Sequence, residues 1–264
     1  MRTTTKARVA AILLRARAPI ALSLSLVCAP TFATLTVGAG SSLQLGDGKL
    51  DLGCSDFAIA GSAAGGSGSV AGIANLAIAG GSLSPGVGRI ALGGNFSNTG
   101  TFIPGSSAIN IVDACGNGTS RITGANAFYD FIVNSASGKQ LVFPAGVVQN
   151  IAHAFVLQGT TGNLLQVLSS TPGTKARLIL AAGATQTISY VNARDNDASG
   201  GATIAPGTAA NYHSVDGGGL LNWFATVIGP SGGAAVPAPA LGRRAMLLLA
   251  ALLAAFAWRQ SRHS

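Results

Sequence analysis

Apolar residues in the middle of the chain stand two apart in short runs, and a glycine closes most runs. Leu50 and Leu52 precede Gly53, Phe57 and Ile59 precede Gly61, Leu76 and Ile78 precede Gly80, and Ile90 and Leu92 precede Gly93. Phe155 and Leu157 before Gly159, and Leu178 and Leu180 before Gly183, repeat the pattern later. Residues two apart face the same side of a strand. The Gly, Asn and Ser clusters between runs supply the left-handed conformations of tight turns. The pattern therefore predicts many short strands. No stretch of the body keeps a 3.6-residue period, and the chain has no glutamate, a common helix former. Helix in the body should be minimal.

The strand-turn unit recurs at uneven intervals of about 14 to 23 residues, which points to a solenoid or a sandwich. The predicted fold is all-β: a parallel β-helix over residues 34–228, with a β-sandwich as the alternative. Small inward Ala, Val, Leu and Ile side chains would fill each rung, with Gly and Asn at the corners, and stability would come from stacking. Rungs of roughly 20–25 residues would give about eight to ten. The open ends of such a stack expose strand edges and need covers. Residues 34–44 are placed at one end, and residues 216–224, with Trp223 and Phe224, at the other.

Composition changes the picture through the placement of charge. The 264 residues carry 16 Lys and Arg against 8 acids, a formal charge of +8. Five cations (Arg2, Lys6, Arg8, Arg15, Arg17) lie at the N-terminus and four (Arg243, Arg244, Arg259, Arg262) at the C-terminus. The body keeps only Lys49, Arg89, Arg121, Lys139, Lys175, Arg177 and Arg194, while all eight acids, every one an Asp, lie within it. The body is thus formally −1, it has no basic patch, and nucleic-acid binding loses its electrostatic basis. All but Gly242 of the 37 glycines fall in residues 34–235.

The ends read as addresses. Basic residues, an apolar run over 18–29, and then Thr31, Phe32 and Ala33 follow the order of a secretory signal peptide, residues 1–33, whose helix ends in cleavage between Ala33 and Thr34. Cutting after Ala29 is disfavoured by Pro30. At the other end, a Gly, Pro and Ala linker over 229–242 contains Val236, Pro237, Pro239, Ala240, Leu241 and Gly242. A hydrophobic helix and basic tail over 243–264 follow, the helix flanked by Arg243 and Arg244 and by Arg259 and Arg262. Its apolar run, 245–258, spans about 21 Å as helix, short of a hydrocarbon core of about 30 Å unless the arginines snorkel. An ordinary C-terminal anchor helix is one reading. The order of proline motif, apolar helix and basic end also resembles the PEP-CTERM class of bacterial sorting tails, and residues 239–242 its IPTL-CTERM variant. Ala238 replaces the usual Glu of the first class, and Arg243 and Arg244 stand where an apolar start is usual. The resemblance implies handling by an exosortase-like membrane transpeptidase after the export machinery and signal peptidase, with transient inner-membrane attachment through the C-terminal transmembrane helix.

The body phrases 94–102, 128–134, 137–146 and 195–201 resemble bacterial β-strand-repeat surface proteins, broadly similar to filamentous-haemagglutinin-type chains. That resemblance implies a structural or adhesive surface role, with extracellular polysaccharide among the possible partners, and carries no catalytic residues.

Cys28 leaves with the signal peptide, so the mature chain keeps Cys54 and Cys115, an even pair in an oxidising compartment. They read either as a disulfide or as two separate buried thiols. Without a CxxC pair or an adjacent histidine they make no zinc site. His153 lies on an alternating run. His213, Ser214 and Asp216 evoke a triad, but triads join residues distant in sequence and no G-x-S-x-G elbow is present. Asp195 and Asp197 alternate around Asn196 and could begin a Ca²⁺ site or, with Arg194, the carboxylate pair of a β-helix polysaccharide lyase or hydrolase. A polar turn before Gly200 and Gly201 is the plainer reading. The sequence thus predicts an exported, non-enzymatic protein of the cell surface, outer envelope or extracellular matrix, with no cofactor and no metal. The alternatives are a glycan- or protein-binding adhesin and the polysaccharide enzyme.

Overall fold

A computed structural model describes residues 27–29 and 32–225. The body is all-β and coils into a parallel solenoid of about eight turns. One large sheet collects seventeen strands, and a second, of four, runs through Ser42–Gln44, Ser62–Ala64, Ser82–Ser84 and Thr101–Phe102. The strands of successive coils pair in parallel throughout, which excludes the antiparallel sandwich. Among the described residues helix is limited to one 3-10 turn, Ala209–Tyr212.

The two-residue alternation explains the register. Phe57, Leu76, Phe96 and Ile122 stand above one another on successive coils, as do Ile90, Ile109, Phe131 and Phe155. All eight are buried, because each strand turns its even-spaced apolar residues to the axis and its small or polar ones outward. Each coil covers the apolar layer of the last, so no coil has a core of its own.

The early coils are tight. Ser62 and Ser82, in register in the small sheet, are separated by 20 residues. Their corners are glycines stacked in columns, for example Gly61, Gly81 and Gly100. A Cβ on Gly81 would collide with the backbone of Ile59, Ala60 and Gly61, and one on Gly100 with that of Gly80 and Gly81. These positions need hydrogen in place of a side chain because corner backbones approach closely enough for Ser82 N–H to reach Gly61 O at 2.8 Å and Thr101 N–H to reach Gly81 O at 2.9 Å. A second corner carries a polar ladder. Asn75 donates its backbone N–H and its Nδ2 to Asp56 Oδ1, Asn95 N–H donates to Asn75 Oδ1, and Arg121 N–H donates to Asn95 Oδ1.

Later coils are longer than the sequence suggested. Arg121 lies over Asn95, 26 residues earlier, and Gln186 over Phe155. The added residues leave the coil as loops. The interior also changes character. Phe128, Phe131, Phe143 and Phe155 replace the aliphatic layers, and Asn98, Asn126 and Gln149 form a buried amide chain. In it Asn98 Nδ2 donates to Asn126 Oδ1 at 2.9 Å, Asn126 Nδ2 to Gln149 Oε1 at 2.8 Å, and Gln149 Nε2 to Gly124 O.

The expected end segments lie at the two ends. The strands Phe32–Val37 and Ser42–Gln44 belong to the first coil. At the other end Trp223 is buried, bridges Ile204, and meets Phe224, which in turn packs against Tyr212. Val27–Ala29 is a strand pairing antiparallel to Phe32–Val37. Ala33 and Thr34, at the expected cleavage site, both lie in Phe32–Val37. The rest of the signal segment, the linker 229–242, the sorting motif Val236, Pro237, Pro239, Ala240, Leu241 and Gly242, and the helix with Arg259 and Arg262 lie outside the described residues. Among the described residues no helix is long and apolar enough to cross a membrane.

Candidate functional site

Two departures from the plain coil gather functional side chains, and both arise where the chain carries more residues than a coil needs. The first is a stapled seam. Cys54 and Cys115 are joined in a disulfide with their Cα atoms 5.2 Å apart and 61 residues between them. The coil that carries Cys115 has six residues more than the 20 of its predecessor, and the loop 113–118 uses them to leave the coil. It runs back along the axis over small residues: a Cβ on Gly93 would collide with Ala114 O, and Asn117 Nδ2 lies beside Gly94. Cys115 Sγ reaches Ile73 O at 3.9 Å before bonding Cys54. Both cysteines sit at positive φ, 66° and 58°, Cys54 within the strand Lys49–Ile59 and Cys115 in the loop. The bridge thereby ties the coil of Cys115 to that of Cys54 across the intervening coils.

Lys139 holds the same loop from inside. Its side chain is buried, and Nζ donates to Gly93 O at 2.7 Å and to Asn117 O. Burial pushes its pKa below the ordinary lysine value, and nearby Asp113 opposes that shift. Asp113 opens the loop. Burial pushes its carboxyl up, but Ser137, Ser135 and Ala136 donate to it, and together they hold it below the ordinary carboxylate range. Lys139 was not singled out from the sequence as a functional residue, yet a signal was present. It shares the alternation of Leu141 and Phe143, both buried, so its parity already pointed inward.

The second feature is a bulge on the outer face. Between the strands Asn126–Asn134 and Val148–Gln158 the register slips between Phe128 and Asp130: Phe128 pairs Ile151 and Asp130 pairs Ala154. Tyr129 therefore opposes two residues, Ala152 and His153, and the bulge ejects both aromatic side chains from the sheet. Their rings stack with centroids 4.6 Å apart and planes 13° apart. His153 Nδ1 lies 2.7 Å from Asp130 Oδ1. Beside the stack runs a shallow trough of about 180 Å³, lined among others by Pro104, Ala127, Phe128, Tyr129, Asn150 and Ile179.

The other polar candidates are not assembled into a centre. Asp195 Oδ2 accepts from Gly173 N–H at 3.0 Å and lies 3.7 Å from Arg194 Nε, while Asp197 Oδ1 accepts from Ser199. The Ser199 hydroxyl and backbone, with Arg177 and Lys175 nearby, hold the Asp197 carboxyl below its ordinary range against the effect of burial. Among the described residues no three His, Cys, Asp or Glu side chains converge as metal ligands. His213 stacks on Tyr190, Ser214 Oγ donates to Tyr212 O, and Asp216 accepts from Gly218 N–H. His213 and Ser214, whose Oγ also accepts from Val191 N–H, thus tie their turn to the coil before it, and Asp216 serves its own turn.

Protein-family models, curated proteins and solved structures were each compared with the chain, and none matches.

Proposed function

We propose that this chain is an exported, non-enzymatic structural protein of the cell surface or extracellular matrix, routed by an N-terminal signal peptide and a C-terminal sorting tail. The observation that carries the reading is the Cys54–Cys115 bridge, because such a bond forms and persists in an oxidising compartment. The body's parallel pairing begins at Thr34, opposite Asp56, so removal of residues 1–33 would leave that ladder whole. A solenoid displays long faces through repetition, which suits a scaffold or coat. Exosortase-like processing near Val236–Gly242 and passage through the inner membrane complete the route. No nucleic acid is involved, since the charge of the body is nearly balanced.

The adhesive variant of this function has its own support in the stacked Tyr129 and His153. The lyase or hydrolase reading is disfavoured by the local hydrogen bonds of Asp195 and Asp197. Mass determination of the mature protein, combined with fractionation of the cells that make it, tests the proposal. Loss of residues 1–33 and of the tail from about Val236 onward, in an envelope or matrix fraction, is the expected result. A soluble secreted protein with its C-terminus intact overturns the sorting route.

A further inference from the structure

We infer that the trough beside Tyr129 is a binding site for an uncharged polysaccharide, lying along the solenoid axis with sugar rings against the aromatic stack. The inference deepens the adhesive variant above and rests on the export reading only for where such a polymer would be met.

The trough has a direction. Ala127, Asn150 and Ile179 are register partners on three successive coils, and Pro104 extends the lining to the coil before them. At strand spacings of 4.7–4.9 Å, four coils cover about 14 Å. The floor is apolar and buried, from Phe128 and Ile151, while Ala127, Asn150 and Ala152 stand exposed at the rim. Ile103, next to Pro104, is 53% exposed, so the apolar surface continues past the coil edge.

The chemistry selects the occupant. No lysine, arginine or carboxylate lines the trough, and the Asp130 carboxylate and the His153 ring, next to Tyr129, are engaged with each other. A polyanion therefore finds no counter-charge in the lining itself. A peptide is disfavoured for another reason. Peptides commonly dock by adding a strand to a free sheet edge. Here the strands run across the trough, and its central strand, Gln149–Ile151, is paired on both sides, with Asn126–Phe128 and with Leu178–Leu180. A peptide lying along the axis would bury its own amides unpaired. A sugar ring has no such backbone. It offers a C–H face to an aromatic ring and hydroxyls to polar neighbours. With Nδ1 held against Asp130, the His153 ring turns Nε2 away from the pair, where it can meet a sugar hydroxyl. Asp130 Oδ2, the Tyr129 hydroxyl and the Asn150 amide add both donors and acceptors, and none of the three bonds another side chain among the described residues. The stack on His153 also fixes the Tyr129 ring before any ligand arrives, which lowers the ordering cost of binding.

Affinity electrophoresis of the processed protein, recovered from cells expressing the full chain, is the test. Gels would contain hydroxyethylcellulose, dextran or galactomannan as neutral probes and alginate as the charged one. Retardation by at least one neutral polymer and not by alginate is expected. Tyr129→Ala should weaken it about tenfold, and Tyr129→Phe by no more than about threefold. Because Tyr129→Ala could disturb the bulge, Ala127→Trp provides a second variant: it fills the trough from an exposed position and should abolish retardation with the circular dichroism spectrum unchanged. Migration unaffected by every neutral polymer, stronger retardation by alginate, or full binding by folded Ala127→Trp protein overturns the inference. A processed chain that binds no sugar defeats this inference alone. A chain that binds but keeps residues 1–33 defeats the export reading alone.

Discussion

The first coils and the later ones obey the same rule of stacking but solve it with different materials. Up to Val112 the repeat is near 20 residues, the corners are glycine columns, and the interior is mainly aliphatic. Beyond Asp113 the coils lengthen, phenylalanines widen the interior, and buried Asn126, Gln149, Lys139 and Asn196 find partners inside it. The tight half also slips in register, at Asp51–Phe57 and Val70–Ile73, but keeps its 20-residue spacing and sends out no long loop. The loose half has residues to spare, and these build the loop 113–118, the bulge at Tyr129 and the trough. In this solenoid regularity supplies the scaffold, and the departures from it supply the chemistry.

The disulfide joins the two halves, and removing it should have the largest effect. A closed loop of 61 residues implies roughly 4 kcal/mol in the chain-entropy model. The double variant Cys54→Ser with Cys115→Ser should lose about that much in denaturant unfolding. Hydrogen exchange should rise most in the coils between Leu50 and Leu92. Uniform exchange across both halves would show that the staple does not belong to the first coils in particular.

Glycine substitution sharpens the contrast next. Gly81→Ala places a methyl group into backbone of the coil before it and should cost about 3 kcal/mol. Gly146 in the loose half has positive φ, 72°, which Gly81 does not, but no atom lies within 4 Å of a Cβ placed there. Gly146→Ala should cost only about 1 kcal/mol, the penalty of a left-handed conformation. Equal losses in thermal melts would remove the distinction between stacked and free corners.

The smallest effect concerns acid. The hydrogen bonds at Asp113 lower its folded-state pKa, so its contribution to stability is present above the unfolded value and is lost as pH falls through the folded one. Melting temperature should fall below about pH 4, and Asp113→Asn should flatten part of that fall while lowering stability modestly at pH 7. Asp197 contributes in the same direction, so the slope is reduced and not abolished. Lys139 gives a slope of the same sign in the alkaline range. Its folded pKa is lowered, so stability rises as pH climbs from that value toward the ordinary lysine one.

Much of the fold was legible because alternation is a local property. Phe57 and Ile59, or Leu76 and Ile78, declare a strand and its inner face without reference to any other residue. Cys54 and Cys115 declared a possible pair by number and compartment, but separate buried thiols remained open until the loop 113–118 was seen to reach back along the axis. Lys139 shares the inward parity of Leu141 and Phe143, but the carbonyls of Gly93 and Asn117 that it meets lie 46 and 22 residues away and leave no local sign. The stack of Tyr129 on His153 was out of reach, since the slip that creates it is a mismatch between two coils and neither strand shows it alone.

By itself, then, the sequence determined the strand-rich composition, the inward faces, the glycine demand at corners and the gathering of basic charge at the two ends. Those depend on neighbours a few residues away. Tertiary structure alone decided where each coil closes, how many residues loop out before the next begins, and which side chains meet across the gap. Such contacts join residues 20 or more apart, and their register is set by how one coil fits the backbone of the coil before it.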